Sequence, residues 1–163
     1  MRILEGEDVA QANHWLAEAA KVAEGSLCLR VKCGSVVVKN KEVIGKGYNA
    51  PPLDNLEYRV CLDENRRSRE YSYDHTCCIH AEERAMMDTL KTNPKKMRGS
   101  KIYFTRLNES WAKNPYCTVC SRMALDMGIA GFVLKHEDGI CEYTTDEYTA
   151  LSFEYVEKTA QLK

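Results

Sequence analysis

The apolar residues switch repeatedly between helical and strand-like spacing, and that alternation restricts the chain to layered helix-and-sheet architectures. From Asp8 to about Glu24, Val9, Ala12, Trp15, Leu16, Ala19, Val22 and Ala23 recur every three or four positions before Gly25, which predicts an amphipathic helix. Cys33 to Val38 and Val43 to Tyr48 are two β-branched runs around the polar Lys39-Asn40-Lys41, the pattern of a hairpin. Ala81, Ala85, Met86 and Leu90 return to helical spacing over 80–90. Lys101 to Thr105 reads as a strand, Cys117 to Met127 as a helix stopped by Gly128, and Gly131 to Leu134 as another strand. Thr144-x-x-Glu147 is a capping box for a last helix through about Lys158. Strand–helix–strand crossovers put helices on the faces of a sheet. The expected fold is therefore α/β, a layered sandwich with a mixed sheet. No linker or repeat divides the chain, so 1–163 reads as one domain with a long aperiodic insertion at about 49–79.

With 163 residues, 44% hydrophobic and 29% charged, the chain is long enough to hold a core without disulfide staples. Its eight cysteines are consequently unusual. No apolar leader opens the sequence and no run of about 18 apolar residues occurs, so a reducing, cytoplasmic setting is expected, with no membrane span. Clustered cysteines there read as metal ligands or reactive thiols before they read as bridges. Cys33 and Cys141 lie within apolar runs and read as core thiols. The net charge of −1 argues against nucleic acid as partner, because a strand-binding groove shows as a basic stripe. Arg66, Arg67 and Arg69 are surrounded by Asp63, Glu64 and Glu70, which suits a solvated face.

Two short segments carry chemistry: His80-Ala81-Glu82 and Pro115-Tyr116-Cys117-Thr118-Val119-Cys120. Cys117 and Cys120 share one face of a helix at i, i+3, and a helix N-terminus favours thiolate. His80 would open a second helix and add an imidazole. Two thiolates and an imidazole are three ligands for zinc, leaving the fourth tetrahedral position to water, whose pKa falls from 15.7 toward ~7. Glu82, two residues from a ligand, can sit beside that water and carry protons without touching the metal. On its own Glu82 would be a favourable anion in a first helical turn, and Cys117-x-x-Cys120 half of a structural knuckle or a redox pair. A structural knuckle wants a fourth ligand, and a redox pair has no use for the His-x-Glu.

These residues resemble the H-x-E and P-C-x-x-C signature of the zinc-dependent cytidine and deoxycytidylate deaminase superfamily. The resemblance runs from about Cys28 to Leu134. It implies a three-layer α/β/α sandwich with about five strands, zinc on His80, Cys117 and Cys120, Glu82 as proton shuttle, and Ala81 contacting the base through its backbone. Gly47-Tyr48-Asn49 resembles the GYN of the deoxycytidylate (dCMP) branch, which implies that Asn49 binds the sugar and that dCMP is converted to dUMP. The long 49–79 segment is similar to that branch as well. There, Cys28, Cys61, His75 and Cys78 correspond to ligands of a second, structural zinc in some members, with Cys77 a competing ligand. The likeness also implies a homo-oligomer and a small nucleotide or nucleoside as the partner.

The chain departs from the family pattern at several points. Tyr116 separates Pro115 from Cys117, and the 106–114 loop is long. Within that loop Trp111 covers a base or packs the loop down. Arg84 stands near where the branch carries Asn. The same zinc chemistry on a nucleoside, a purine base, a riboflavin-pathway pyrimidine or a nucleic-acid base stays open, as does a non-catalytic zinc-stabilised binding module.

Overall fold

The computed structural model describes residues 1–61, 77–107, 109, 112 and 116–161. The first helix, α1, spans Glu7–Ala23 and follows a two-residue strand, β1 (Arg2–Ile3). The hairpin is β2 (Cys33–Lys39) and β3 (Glu42–Tyr48). Its two-residue loop, Asn40-Lys41, has φ of 50° and 59°, the paired left-handed geometry that matches strand twist in tight hairpins. Two 3₁₀ turns follow, Pro52–Asp54 and Leu56–Tyr58. Then come α2 (Ala81–Thr92), β4 (Lys101–Arg106), α3 (Thr118–Asp126), β5 (Gly131–His136), β6 (Gly139–Thr144) and α4 (Thr145–Gln161).

The sheet is mixed, ordered β1-β6-β5-β4-β2-β3, with β4 and β5 its parallel pair. It has six strands, two more than the four read from the spacing, where the resemblance implies about five. The additional ones are β6, which forms a hairpin with β5 through His136↔Gly139, and β1, which exists only by pairing with β6. Strand alternation sorts the two faces. Val36, Val38, Tyr103, Val133 and Ile140 pack on α1 through Ala12, Trp15, Leu16 and Ala19. Val37, Ile102, Phe104, Phe132, Leu134 and Tyr143 face the other way, with residues of α2, α3 and α4. The three-layer α/β/α arrangement is as expected. Cys33 and Cys141 pack on this second core, in keeping with their reading as core thiols.

Local signals end the helices where the sequence implies. The Gly128 N–H donates to the Leu125 carbonyl at 3.1 Å and the Ile129 N–H to Ala124 at 3.0 Å, with Gly128 at φ +72°. This is the Schellman closure that glycine permits. The capping box at α4 is present, Thr144 N–H to Glu147 Oε2 at 2.9 Å and Glu147 N–H to Thr144 Oγ1 at 3.2 Å.

Glycines set how closely helices approach the sheet. A methyl group on Gly34 would overlap the Ala19 carbonyl and come within 2.6 Å of the Ala23 amide. Both obstacles are backbone of α1 and cannot rotate away. Gly34→Ala is expected to cost about 3 kcal/mol, read as a lowered urea midpoint with unchanged slope; an unchanged midpoint would refute this seating of α1. Gly45 and Gly47 do the same for α2, where added methyl groups would meet the backbone of Ala81, Ala85 and Thr89. The helix that begins after His80 thus lies directly on β3. Among the described residues no helix is long and apolar enough to cross a membrane.

Candidate active site

His80 is the N-cap of α2, extended at φ −69° and ψ 156°. Its N–H donates to the Glu83 carboxylate at 2.9 Å, which fixes the entry to the helix. Cys117 is the N-cap of α3 and Cys120 lies in that helix's first turn. The Cys120 N–H reaches the Cys117 sulfur at 3.5 Å. The two helix starts meet beneath the same end of the sheet. His80 Nδ1 stands 3.4 Å from Cys117 Sγ and 3.4 Å from Cys120 Sγ. The three ligand atoms lie within 4.8 Å of one another, and both cysteines are buried.

That spacing fits zinc. Bonds of about 2.3 Å to sulfur and about 2.0 Å to nitrogen, at tetrahedral angles, separate S from N by about 3.5 Å. The donor set, one imidazole and two sulfurs, is the borderline-soft kind that zinc selects. The site also lowers the thiolate's cost. The Cys120 hydrogen bond, together with His80, outweighs burial and brings Cys117 down to about 4. Cys120, hydrogen-bonded to Cys117 and buried, is pushed up.

Glu82 is 3% exposed. Burial pushes its carboxyl up to about 7, with the charge on His80 opposing and that on Cys117 reinforcing the shift. A carboxylate kept from water next to three metal-ligand atoms is placed to accept and return protons. Of the residues expected to contact substrate, Ala81 is fully buried at the first position of α2. Asn49 is engaged within the protein. Its Oδ1 accepts from the Cys33 N–H at 2.8 Å and the Ser26 hydroxyl at 2.6 Å, while Nδ2 donates to the Val31 carbonyl at 2.8 Å. It fastens the 26–33 segment to the end of β3. One Nδ2 hydrogen is left over.

Cys28, Cys61, Cys77 and Cys78 also gather. Cys28 is brought down to about 5, chiefly by a hydrogen bond from Cys78, against burial. Cys78 is pushed up by the same bond and by burial. Cys77 and Cys78 have their sulfurs 3.8 Å apart, and Cys61 interacts with Cys77. His75 lies outside the described residues, as do Trp111, Pro115 and the arginines at 66, 67 and 69.

The family described as "Cytidine and deoxycytidylate deaminase zinc-binding region" matches residues 9–136, enclosing all four residues of this centre. The chain belongs to that family. It is 32% identical over 130 residues to the deoxycytidylate deaminase of Mycobacterium phage D29, covering 76% of this chain and 93% of the phage protein. Among solved structures, the cyanophage S-TIM5 dCMP deaminase superposes with a TM-score of 0.52 at 22% identity, over 79% of this chain and 82% of that one. The cytidine deaminase of Burkholderia pseudomallei superposes at 0.57 with 15% identity, over 83% and 94%. At those identities the two structures establish the shared deaminase fold.

Two features of this family member were not legible beforehand. Arg84, on α2, clamps the connection after β3. Nη1 pairs with Asp54 at 2.8 Å and Nη2 donates to the Pro51 carbonyl at 2.6 Å. Tyr48 adds a hydrogen bond to Asp54 at 2.7 Å and lies 5.4 Å beneath the guanidinium. This clamp holds Leu53 and Asp54 at φ of 55° and 58°. Tyr116, where the family pattern has proline, packs on Tyr143, Tyr148 and Tyr155 with ring centroids 6.4, 5.6 and 6.2 Å away. The entry to α3 is thereby braced by aromatic packing instead of by a fixed proline φ. The i, i+7 spacing of Tyr148 and Tyr155 on one helix face was the available signal.

Proposed function

We propose that the chain is a zinc-dependent hydrolytic deaminase converting dCMP to dUMP. The observation that carries the reading is the convergence of His80, Cys117 and Cys120 beside a buried Glu82, in a family member related to a phage deoxycytidylate deaminase. His80, Cys117 and Cys120 would hold zinc, which when bound makes water a usable nucleophile near neutral pH. Glu82 takes the proton from the attacking water and delivers protons to the ring and to the departing amine. The bond from C4 to oxygen forms, that from C4 to nitrogen breaks, and ammonia leaves. Burial of Glu82 keeps bulk water from competing for those protons. Asn49, through its remaining amide hydrogen, would contact the sugar, and the Ala81 backbone the base.

The cyanophage enzyme has also been solved in complex with dCMP and dUMP, which supports a nucleotide as the small-molecule substrate. The reading includes a second, structural zinc on Cys28, Cys61, His75 and Cys78, with Cys77 as competitor. The thiol contacts around Cys28, Cys77 and Cys78 support it. It further includes a homo-oligomer in the cytoplasm, in keeping with eight cysteines outside any disulfide. The test is loss of cytosine ultraviolet absorbance with dCMP, deoxycytidine, cytidine and guanine offered in parallel to zinc-loaded protein. dCMP should turn over fastest. A faster alternative would change the substrate, and no turnover of any would favour a non-catalytic zinc module.

A further inference from the structure

A nucleotide brings a phosphate to a site that is already acidic. Two thiolates and an imidazole leave a bound zinc with no net charge, while Glu82 and Glu83 add negative ones. A dianionic group docking nearby needs a fixed cation, and arginine suits it because its planar fork presents several donors to phosphate.

Arg84 and Arg106 stand on elements that lead into the centre, α2 and β4, and their surroundings differ. Arg84 has both terminal nitrogens committed, to Asp54 and to the Pro51 and Ala50 carbonyls. Arg106 is the last residue of β4. It shares the strand face of Ile102 and Phe104, the face that carries α2 and α3, and it is paired in register with Cys33. The Cys33 thiol feels the charges of both Glu82 and Arg106, so this end of β4 and the start of α2 border one space. The Arg106 side chain is 22% exposed. Its one hydrogen bond among the described residues runs from Nη1 to Glu109 at 3.3 Å, longer than a strong charge-assisted contact, and the guanidinium lies 6.0 Å from the centroid of the Phe104 ring. Its Nε is out of solvent and bonded to nothing, and its Nη2 makes no bond to a described residue.

Glu109 sits on the segment leading from β4 to α3. On either side of it, the Leu107 N–H donates to the Lys32 carbonyl at 2.8 Å and the Ala112 N–H to the Lys135 carbonyl at 2.7 Å. The guanidinium is therefore held at the edge of the site, partly desolvated, with donors to offer. We propose that Arg106 reads the 5′-phosphate of the substrate and is the residue by which the site prefers a nucleotide to a nucleoside. This rests on the deaminase reading above and names the group that would set its substrate class.

The experiment compares wild type, R106Q and R106K for kcat/KM on dCMP and on deoxycytidine, with zinc content and melting temperature as controls. It adds calorimetric binding of dUMP and of deoxyuridine. R106Q should lower kcat/KM for dCMP about 100-fold, mostly through KM, and leave deoxycytidine within a few fold. dUMP should lose its binding advantage over deoxyuridine in parallel. R106K keeps the charge but not the fork, so it should retain part of the preference and serves if R106Q folds poorly. An unchanged dCMP to deoxycytidine ratio in either variant, or equal losses on both substrates, would overturn the assignment while leaving the deaminase reading in place. A wild type that turns over neither compound and binds dUMP no better than deoxyuridine would end both.

Discussion

Replacing Glu82 by glutamine should reduce kcat on dCMP by about 10⁴-fold, the upper end of what a positioned acid–base group contributes. Glutamine has nearly the same shape and can still accept a hydrogen bond at one oxygen, but it cannot take up and release a proton. Glu82 is not among the three converging ligand atoms, so zinc content should stay at the wild-type value. The melting temperature should not fall, because a neutral side chain replaces a carboxyl that burial already pushes toward its neutral form. The combination of lost turnover, retained metal and retained fold is what separates a proton carrier from a structural residue. Substantial activity in the zinc-loaded variant would remove Glu82 from the mechanism.

The second large effect concerns the metal itself. Cys120→Ser exchanges a buried sulfur, 3.4 Å from His80 Nδ1, for a hydroxyl that is a far weaker ligand for zinc. Wild type is expected to carry two zinc atoms per chain by atomic emission, and Cys120→Ser one, with turnover below detection. Cys61→Ser should also carry one, having lost the other site. A metal that binds only the folded state at a thousandfold excess over its Kd adds about 4 kcal/mol of stability. Cys120→Ser should accordingly melt lower than wild type in excess zinc and close to wild type after chelation. A wild-type count of one, unchanged by Cys61→Ser, would dispose of the second zinc and leave the first intact. Undiminished zinc in Cys120→Ser would remove the proposed catalytic ligand set.

What could be read from the sequence was what is local along the chain. The His80-x-Glu82 and Cys117-x-x-Cys120 spacings each fall within one helical turn, so their relation is fixed by the helix alone, and the structure brings them together. The Asp8–Glu24 stripe, the hairpin and the capping box at Thr144 are local for the same reason. The two additional strands were not legible. Arg2–Ile3 is too short for any period, and it is a strand only because Glu142 and Cys141 lie opposite. Gly139–Thr144 has Cys and Glu at its centre, and its alternation becomes meaningful once one face is known to meet α1 and the other the main core. The same limit applies to side chains. Arg84 looked like a departure from a motif, and its role depends on a carboxylate 30 positions earlier in the chain. Tyr116 depends on rings from a strand and a helix that both come later.

The seating of α2 on Gly45 and Gly47 has a mechanical consequence. Side-chain layers between a helix and a sheet act as a cushion, since rotamers adjust and absorb small displacements. Here backbone rests on backbone along the stretch that leads to the imidazole and the acid, and that cushion is missing. Strand and helix therefore move as one stiff unit. Distortion of the hairpin by heat, pressure or a neighbouring molecule would be passed undamped to the reacting groups, tying their alignment to the integrity of the sheet's outermost strand.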